Sequence, residues 1–408
     1  MAGSAAPGEF RRPRPEERAA FEHLQRRGYA SGEGTLHPAP PREEATAPAQ
    51  GDDGARGVFV AGRPLAGAYL KRYQTWWGAD ELPMESIGGV VTLPEARRQG
   101  YTAALATGLL ADMRERGIPI STITSPFSYA FYRQFGWEYA FPRLRAAFPP
   151  QIGIVSPRAP GNSARFVQTE HEGALPGEID GVYRLVARTR YQGMAVRTPE
   201  LWRRLLRGER TYAYVWDGED GPAGYAVCAV GEHDRLQVRE LFATDRTALA
   251  GLFGLLANFD SQAERIEWDM PPDVRLDLLV REQHDLELSW QPQGMFRIVD
   301  LAAAVSGRTA GTVSGQVCLR LLDDQAPWNQ GPHAITWTEG QARVSPSGGG
   351  PAADQAVMDQ RTFAQIYAGS ITPAQAVELG RAELGAGALM ILTAAYVTGR
   401  PPLLLEWH

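Results

Sequence analysis

The stretch GVVTLPEARRQG, residues 89–100, runs without a break into YTAALATGLLADMRER, residues 101–116. Residues 87–93 (IGGVVTL) read as a buried strand, closed by Pro94, which cannot donate to a central ladder. From 98 to 116 the apolar residues Leu105, Leu109, Leu110 and Met113 recur at helical spacing, so a helix follows. Strand, glycine-containing turn and helix therefore meet at one point. The first N–H groups of a helix have no partner within it, and the helix dipole places positive charge there. Such an end binds phosphate. Arg97 and Arg98 add cationic donors beside it. An arginine-glycine turn before a helix is common on protein surfaces. The preceding strand gives it weight here, and so does Tyr132-Arg133-Gln134-Phe135-Gly136-Trp137, a tyrosine on a short helix ahead of a glycine-aromatic strand.

Working outward, residues 14–27 (RPEERAAFEHLQRR) form an amphipathic first helix, and 31–57 is a Pro-, Ala- and Gly-rich loop. GVFVA, a GRP turn and AGAYLKRYQTWW form a hairpin. Residues 118–123 form a strand and 129–135 a short helix before FGWEYAF. Hairpin, strand–turn–helix, then strand–helix–strand is an α+β pattern. A proline-rich stretch at 148–161 marks a boundary. Beyond it come helices at 180–191 and 199–207, the hairpin TYAYVWDGEDGPAGYAVCAV, a strand at 236–242 and a helix at 248–258. This repeats the earlier order, but Asp245-Arg246 replaces the arginine-glycine loop, so the second half is a copy of the fold without that loop. A third part starts near Met295, with strands in TVSGQVCLRLLDD and HAITWTEGQARVSP, helices at 361–367 and 373–384, and the ending PPLLLEWH. The domains expected are 11–150, 151–294 and 295–408.

A chain of 408 residues has room for two or three domains. Composition is that of a globular protein, 44% hydrophobic and 22% charged. No apolar run approaches the roughly 20 residues of a membrane span, and the N-terminus lacks a secretory signal, so neither membrane nor export is expected. Residues 1–10 read as a leader or loose tail. Cys228 and Cys318 sit in alternating apolar stretches that read as buried strand. Two such thiols form neither a disulfide framework nor a metal site, which points to a reducing, cytoplasmic setting. A net charge of −6 argues against nucleic acid and suits cationic acceptors.

The order strand, Pro94, RRxG, helix and then SxxxxxxYxxFGW, from Ser125 to Trp137, resembles the pyrophosphate loop and tyrosine region of GNAT acetyltransferases. It is similar to the Eis (enhanced intracellular survival) group in particular. FRIVDLAAAV, APWNQGPHAITW and MDQRTFAQIYAG followed by ITPAQAVELGR resemble that group's C-terminal domain, so the likeness runs from about Val58 onward. It implies two tandem GNAT-like domains, each a mixed sheet flanked by helices, then a sterol-carrier-protein-like α+β domain. It implies acetyl-CoA as co-substrate, with Val90, Val91 and Thr92 along the pantetheine arm and Arg97, Arg98, Gln99, Gly100, Tyr101 and Thr102 around the pyrophosphate. Tyr132 matches the tyrosine that protonates the departing thiolate, and the C-terminal carboxylate, here that of His408, matches the base. The family usually ends on an aromatic residue, whereas Trp407-His408 closes this sequence. Acceptors in the group are aminoglycoside-like polyamines and lysine side chains, and the assembly is a hexamer of two trimers.

The chemistry is coherent. A thiol near pKa ~8.5 and a phenol near ~10 are close enough to share a proton. An α-carboxylate near ~3.5 is a weak base unless burial raises it, and its securer task is to hold the acceptor's ammonium. The terminus reaches the first domain only if the third folds back, which predicts a compact arrangement. Glu406 and Trp76 are candidate acceptor-binding residues, against a solvated tail for Glu406 and core packing for Trp76. Tyr73 and Trp77 share the strand pattern of Trp76. Trp328-Asn329 reads as packing or subunit contact, and His233 and His333 as structural. Rival functions are a longer-chain acyl-CoA transferase and a lipid- or protein-binding scaffold with a vestigial loop.

Overall fold

The computed structural model describes residues 8–29, 54–124, 129–153, 164–167, 177–208, 210–231 and 234–406. Strands Ala55–Val60 and Arg63–Trp77 form the first hairpin. It turns on Ala61 and Gly62, whose φ values of 48° and 77° match the mirror-type turns that suit the twist of paired strands. Residues 55–57, read as loop from sequence, begin this hairpin, while 30–53 lie outside the described residues. Helix Arg18–Tyr29 packs Phe21 and Leu24 onto it. Strand Asp80–Thr92 runs antiparallel to Arg63–Trp77 and parallel to Ile120–Thr124, with helix Tyr101–Glu115 as the crossover. That helix starts at Tyr101 rather than 98, because Gly100 is left-handed, with φ 86°.

The second unit repeats this order. Strands Thr211–Gly218, Gly221–Val230 and Arg235–Ala243 are antiparallel neighbours, helix Arg246–Ala257 crosses over, and Arg265–Met270 returns parallel to Arg235–Ala243. The two units are not independent sheets. Glu287–Ile298, the strand ending the second unit, lies between Ile120–Thr124 and Glu138–Phe148 of the first. Glu138–Phe148 in turn pairs with Arg265–Met270. Exchange of these strands merges the described strands of both units into one 13-stranded sheet. The boundary expected at Met295 falls inside Glu287–Ile298. Residues 287–292 of this strand are exposed and 294–298 buried, so the apolar signal in the sequence begins mid-strand.

The third unit has a five-stranded sheet, Gly315–Leu322, Gly331–Thr338, Gln341–Pro346, Gln355–Asp359 and Ala382–Leu384, with helices Leu301–Ser306, Gln360–Ala368, Pro373–Glu378 and Ala386–Tyr396. The helix read over 373–384 stops at Glu378, because Gly380 at φ 66° turns the chain into the last strand. Helix Gln360–Ala368 packs on Glu138–Phe148 and Glu287–Ile298. Its Gln360 and Gln365 amides donate to Gly136 O (3.2 Å) and Tyr139 O (2.6 Å). Trp77, Phe296 and Tyr367 form an aromatic cluster at this junction, with Phe296 and Tyr367 stacked at 15°. One hydrophobic core therefore spans the first and third units, in the compact arrangement expected. Asn329 ties the connection down: its Oδ1 accepts from Leu301 N at 2.9 Å and its Nδ2 donates to Val299 O at 3.0 Å, while Trp328 Nε1 donates to the same carbonyl at 2.8 Å. The Trp328-Asn329 pair is thus packing. His333 is structural too, its Nε2 2.7 Å from Asn329 O.

Arg297 is fully buried in the exchanged strand, donates to Asp323 at 2.8 Å, and lies 5.5 Å from the Trp137 ring. Gly136 makes room for it: a Cβ there would sit 1.5 Å from the guanidinium, and φ is 87°. We expect Gly136→Ala to lower unfolding free energy by about 3 kcal/mol or more, since a buried ion pair must shift and the backbone is strained; urea titration measures it.

Candidate active site

The parallel ladder between Asp80–Thr92 and Ile120–Thr124 lasts four residue pairs, from Met84–Ile120 to Ile87–Ile123, and then the strands part. A bulge opposite Ala68, with Gly89 at φ 60°, bends the first strand at that point. The gap is a groove bordered by Ile87, Val90, Thr102, Leu105, Phe131 and Tyr132. It encloses about 20 Å³, room for about one water, because Phe131, Tyr132 and Phe135 crowd it. Tyr132 lies on the short helix Tyr129–Arg133, half-buried and edge-on to Phe131 at 5.1 Å. Arg133 anchors this helix to the buried Glu138 at 2.8 Å, and Tyr129 OH donates to Pro292 O on the exchanged strand.

At the strand's end, residues 93–100 form the loop. Two positions are left-handed, Arg98 (φ 61°) and Gly100 (φ 86°). A non-glycine residue held there costs about 1–2 kcal/mol, the kind of strain that collects at ligand sites. Among the described residues, helix Tyr101–Glu115 has no side-chain cap and a Cβ added to Gly100 would meet nothing within 4 Å. The unpartnered N–H groups of this helix end thus open beside clear space. Arg97 and Arg98 are exposed, and among the described residues no carboxylate pairs with either; Arg97 Nε makes a 3.4 Å contact with Thr92 O. Glu95, the acidic residue of the loop, is drawn off by Arg63 (2.7 Å) and Arg27 (3.2 Å). Gln99 braces the loop by donating to Glu95 O at 2.9 Å. Thr92 and Thr102 join strand to helix through their hydroxyls at 2.8 Å. Val91 and Tyr101 point into the core, so only their backbone can serve a ligand. Val90, Thr102 and Tyr132 thus border one groove, and the 97–100 loop leads into the helix that carries Thr102. A diphosphate fits the uncapped, arginine-flanked end of this arrangement, and an acyl arm in the groove requires Phe131 and Tyr132 to move.

The tail reaches a different wall. Residues 401–403 run beside Gln192, with Leu403 N donating to Gln192 O at 2.9 Å. Leu403 and Leu404 are buried. Glu406 is no solvated residue: its side chain is 7% exposed and accepts from Arg197 Nε at 2.7 Å. Arg197 also clasps Glu240 through both terminal nitrogens, at 2.7 and 2.5 Å, and lies over the Tyr183 and Trp202 rings at 4.1 and 4.5 Å. Tyr225 OH donates to the same Glu240. Burial, and then the nearby Glu406 carboxylate, push the Tyr73 phenol well above its ordinary range. Trp76 sits in the second unit's core with Leu403, beneath the Arg188 guanidinium at 5.1 Å. His408 and Trp407, like Ser125 and His233, lie outside the described residues. Sequence reading missed Arg197 and Glu240, 43 residues apart with no local pattern to join them, and Phe131, whose place beside Tyr132 in YAFYR was a signal passed over.

Cys228 and Cys318 are buried and unpaired, and burial pushes the Cys228 thiol up to about 12, so it is no nucleophile. Among the described residues no helix is long and apolar enough to cross a membrane, and no group of three or more His, Cys, Asp or Glu could hold a metal.

Parted strands, a loop at a helix N-terminus and a groove-side tyrosine, set in a duplicated mixed sheet, define a class of acyl-transfer fold. Residues 9–140 and 193–298 each match an acetyltransferase (GNAT) domain, and 301–405 match a sterol carrier protein domain. An uncharacterized N-acetyltransferase of Streptomyces avermitilis is 24% identical over 83% of this chain and 85% of its own length. A GCN5-related N-acetyltransferase from Anabaena variabilis superposes with a TM-score of 0.82 at 22% identity, covering 98% of this chain and all of its own. Eis1 from Mycobacterium abscessus does so at 0.77 and 21%, with the same coverage. The structural likenesses establish a shared three-part fold. The chain belongs to the GNAT acetyltransferases, in the Eis-like form of two GNAT domains followed by a sterol carrier protein domain.

Arg197→Ala leaves Glu240 buried without its cation. We expect a loss of about 3–5 kcal/mol in urea unfolding, while Glu406→Gln, which keeps the Arg197–Glu240 pair, costs less than half as much.

Proposed function

We propose that the protein transfers an acetyl group from acetyl-CoA to a primary amine, of an aminoglycoside-like polyamine or a lysine side chain. GNAT domains use acetyl-CoA as co-substrate. The observation that carries the reading is the uncapped helix end at Gly100, with Arg97 and Arg98 paired to no carboxylate among the described residues and Tyr132 on the adjoining groove. Val90 and Thr92 offer backbone groups to the pantetheine arm, and the 97–102 segment holds the diphosphate. The amine nitrogen bonds to the thioester carbonyl carbon, the C–S bond breaks, Tyr132 gives its proton to the sulfur, and the proton then shed by the acylated nitrogen restores the phenol. The acceptor's ammonium must first lose a proton, which the carboxylate of His408 takes, with Glu406 on the acceptor side; Trp76, buried in the second unit's core, serves packing instead. Burial of Glu406 beside Arg197 supports a tail held in one place. A homo-oligomer, a hexamer by resemblance, working in the cytoplasm completes the proposal; sedimentation of the purified chain tests the assembly.

Release of free thiol from acetyl-CoA across a panel of amines tests the activity. No release above background with any amine rejects the proposal and favours a scaffold. Faster turnover with longer acyl groups favours the broader acyltransferase. Tyr132→Phe should lower kcat by about 10²-fold or more, the scale of general acid help. Arg97→Ala with Arg98→Ala should raise the KM for acetyl-CoA about tenfold or more and spare kcat, because charge-assisted hydrogen bonds are lost from binding alone.

A further inference from the structure

The last residues leave their own unit. After helix Ala386–Tyr396 the chain crosses to the second GNAT unit, where Gln192 receives it. Gln192 N donates to Pro401 O at 3.1 Å, its carbonyl accepts from Leu403 N at 2.9 Å, and its side-chain amide donates to Thr398 Oγ1 at 3.2 Å. Strand Gln192–Ala195 also pairs with Arg63–Trp77 of the first unit, through Trp77–Gln192 and Thr75–Ala195, and Val196 N donates to Gln74 O at 2.7 Å. Residues 192–197 are therefore hydrogen-bonded both to the first unit and to the tail.

Side chains fasten what the backbone aligns. Leu403 enters the second unit's core, with Leu405 packed against it. Glu406 then accepts from Arg197 Nε at 2.7 Å, and its Oε2 is buried with no hydrogen-bond partner among the described residues. Arg197 is itself gripped by Glu240, Tyr183 and Trp202 of the same unit. A buried carboxylate that loses its cation is unstable, so the tail stays seated only while Arg197 is there. Two residues remain beyond Glu406. They span at most about 7 Å, which tethers the terminal carboxylate to this seat.

The same unit is unfit to hold the co-substrate. Only Thr244 and Asp245 separate strand Arg235–Ala243 from helix Arg246–Ala257, and Asp245 Oδ1 accepts from Ala248 N at 2.8 Å. A carboxylate stands where phosphate would bind.

We propose that the second GNAT unit is the dock of the C-terminal tail, and that Arg197 is a positioning residue for the transfer reaction. It acts through Glu406, fixing where the terminal carboxylate meets the acceptor's ammonium. The two copies divide the work, one seating the co-substrate and the other the base. The positioning role rests on the acetyl-transfer reading above; the docking does not.

Hydrogen–deuterium exchange of the full chain, read by mass spectrometry on peptides covering 398–405, tests the dock. Arg197→Gln with Glu240→Gln replaces the buried ion pair by amides, so Glu240 is not left as an unpaired charge and only Glu406 loses its cation. Tail amides should then exchange about tenfold faster or more, with helix Arg246–Ala257 unchanged. Glu240→Gln alone, which keeps Arg197 on Glu406, should leave tail exchange near that of the wild type. In the double variant kcat for thiol release should fall about tenfold or more while the KM for acetyl-CoA holds. Leu403→Asp, which brings a carboxylate into the dock from the tail side, should act alike and decides the matter should the double variant not fold. Tail amides as slow as in the wild type overturn the dock. Freed amides with kcat intact, or a raised KM for acetyl-CoA in place of a lower kcat, overturn the positioning role. Absence of thiol release from the wild type strikes the acetyl-transfer reading and the positioning role together, and exchange alone then judges the dock.

Discussion

Two parallel strands stop hydrogen-bonding after Ile87 and Ile123, and the site depends on that early end of the ladder. A strand that leaves its neighbour exposes backbone N–H and C=O groups that must find other partners. The bulge at Gly89 aims residues 90–92 away from the sheet, and helix Tyr101–Glu115 presents its own unpaired N–H groups at the same place. Polar backbone, apolar groove and cationic loop are thus consequences of one broken pairing. Tyr132 stands beside that groove on the short helix Tyr129–Arg133.

The second unit shows that this geometry does not by itself fix a ligand. Both units part their strands after four pairs. One then spends eight residues on a loop with two left-handed positions and leaves its helix uncapped. The other closes its helix with Asp245 and keeps an open gap lined by Arg190 and Arg246 as well as apolar side chains. A capping carboxylate and a phosphate compete for the same helix end, so the choice of residue 245 settles which chemistry the copy can host.

The periodicity around residues 87–116 made the strand, the loop and the helix legible, because each obeys a local rule of spacing or punctuation. The repeated order in the second half was legible for the same reason. The exchange of Glu138–Phe148 and Glu287–Ile298 was not, since both read as ordinary strands and their partners are set by contacts more than a hundred residues away. The buried Arg197–Glu240–Glu406 group was equally invisible, each member looking like a surface charge until the tail returns to cover it. Trp76 and Trp77 look alike in sequence, yet alternation sends one into the second unit's core and the other into the core shared with the third.

The crossed strands have a consequence for how the protein comes into being. When residue 150 leaves the ribosome, Ile120–Thr124 still lacks the neighbour that residues 294–298 will supply. Its bare edge must stay unsatisfied, or shielded by chaperones, for the time taken to synthesise the next half of the chain. A gene fragment encoding either half alone would specify an incomplete sheet.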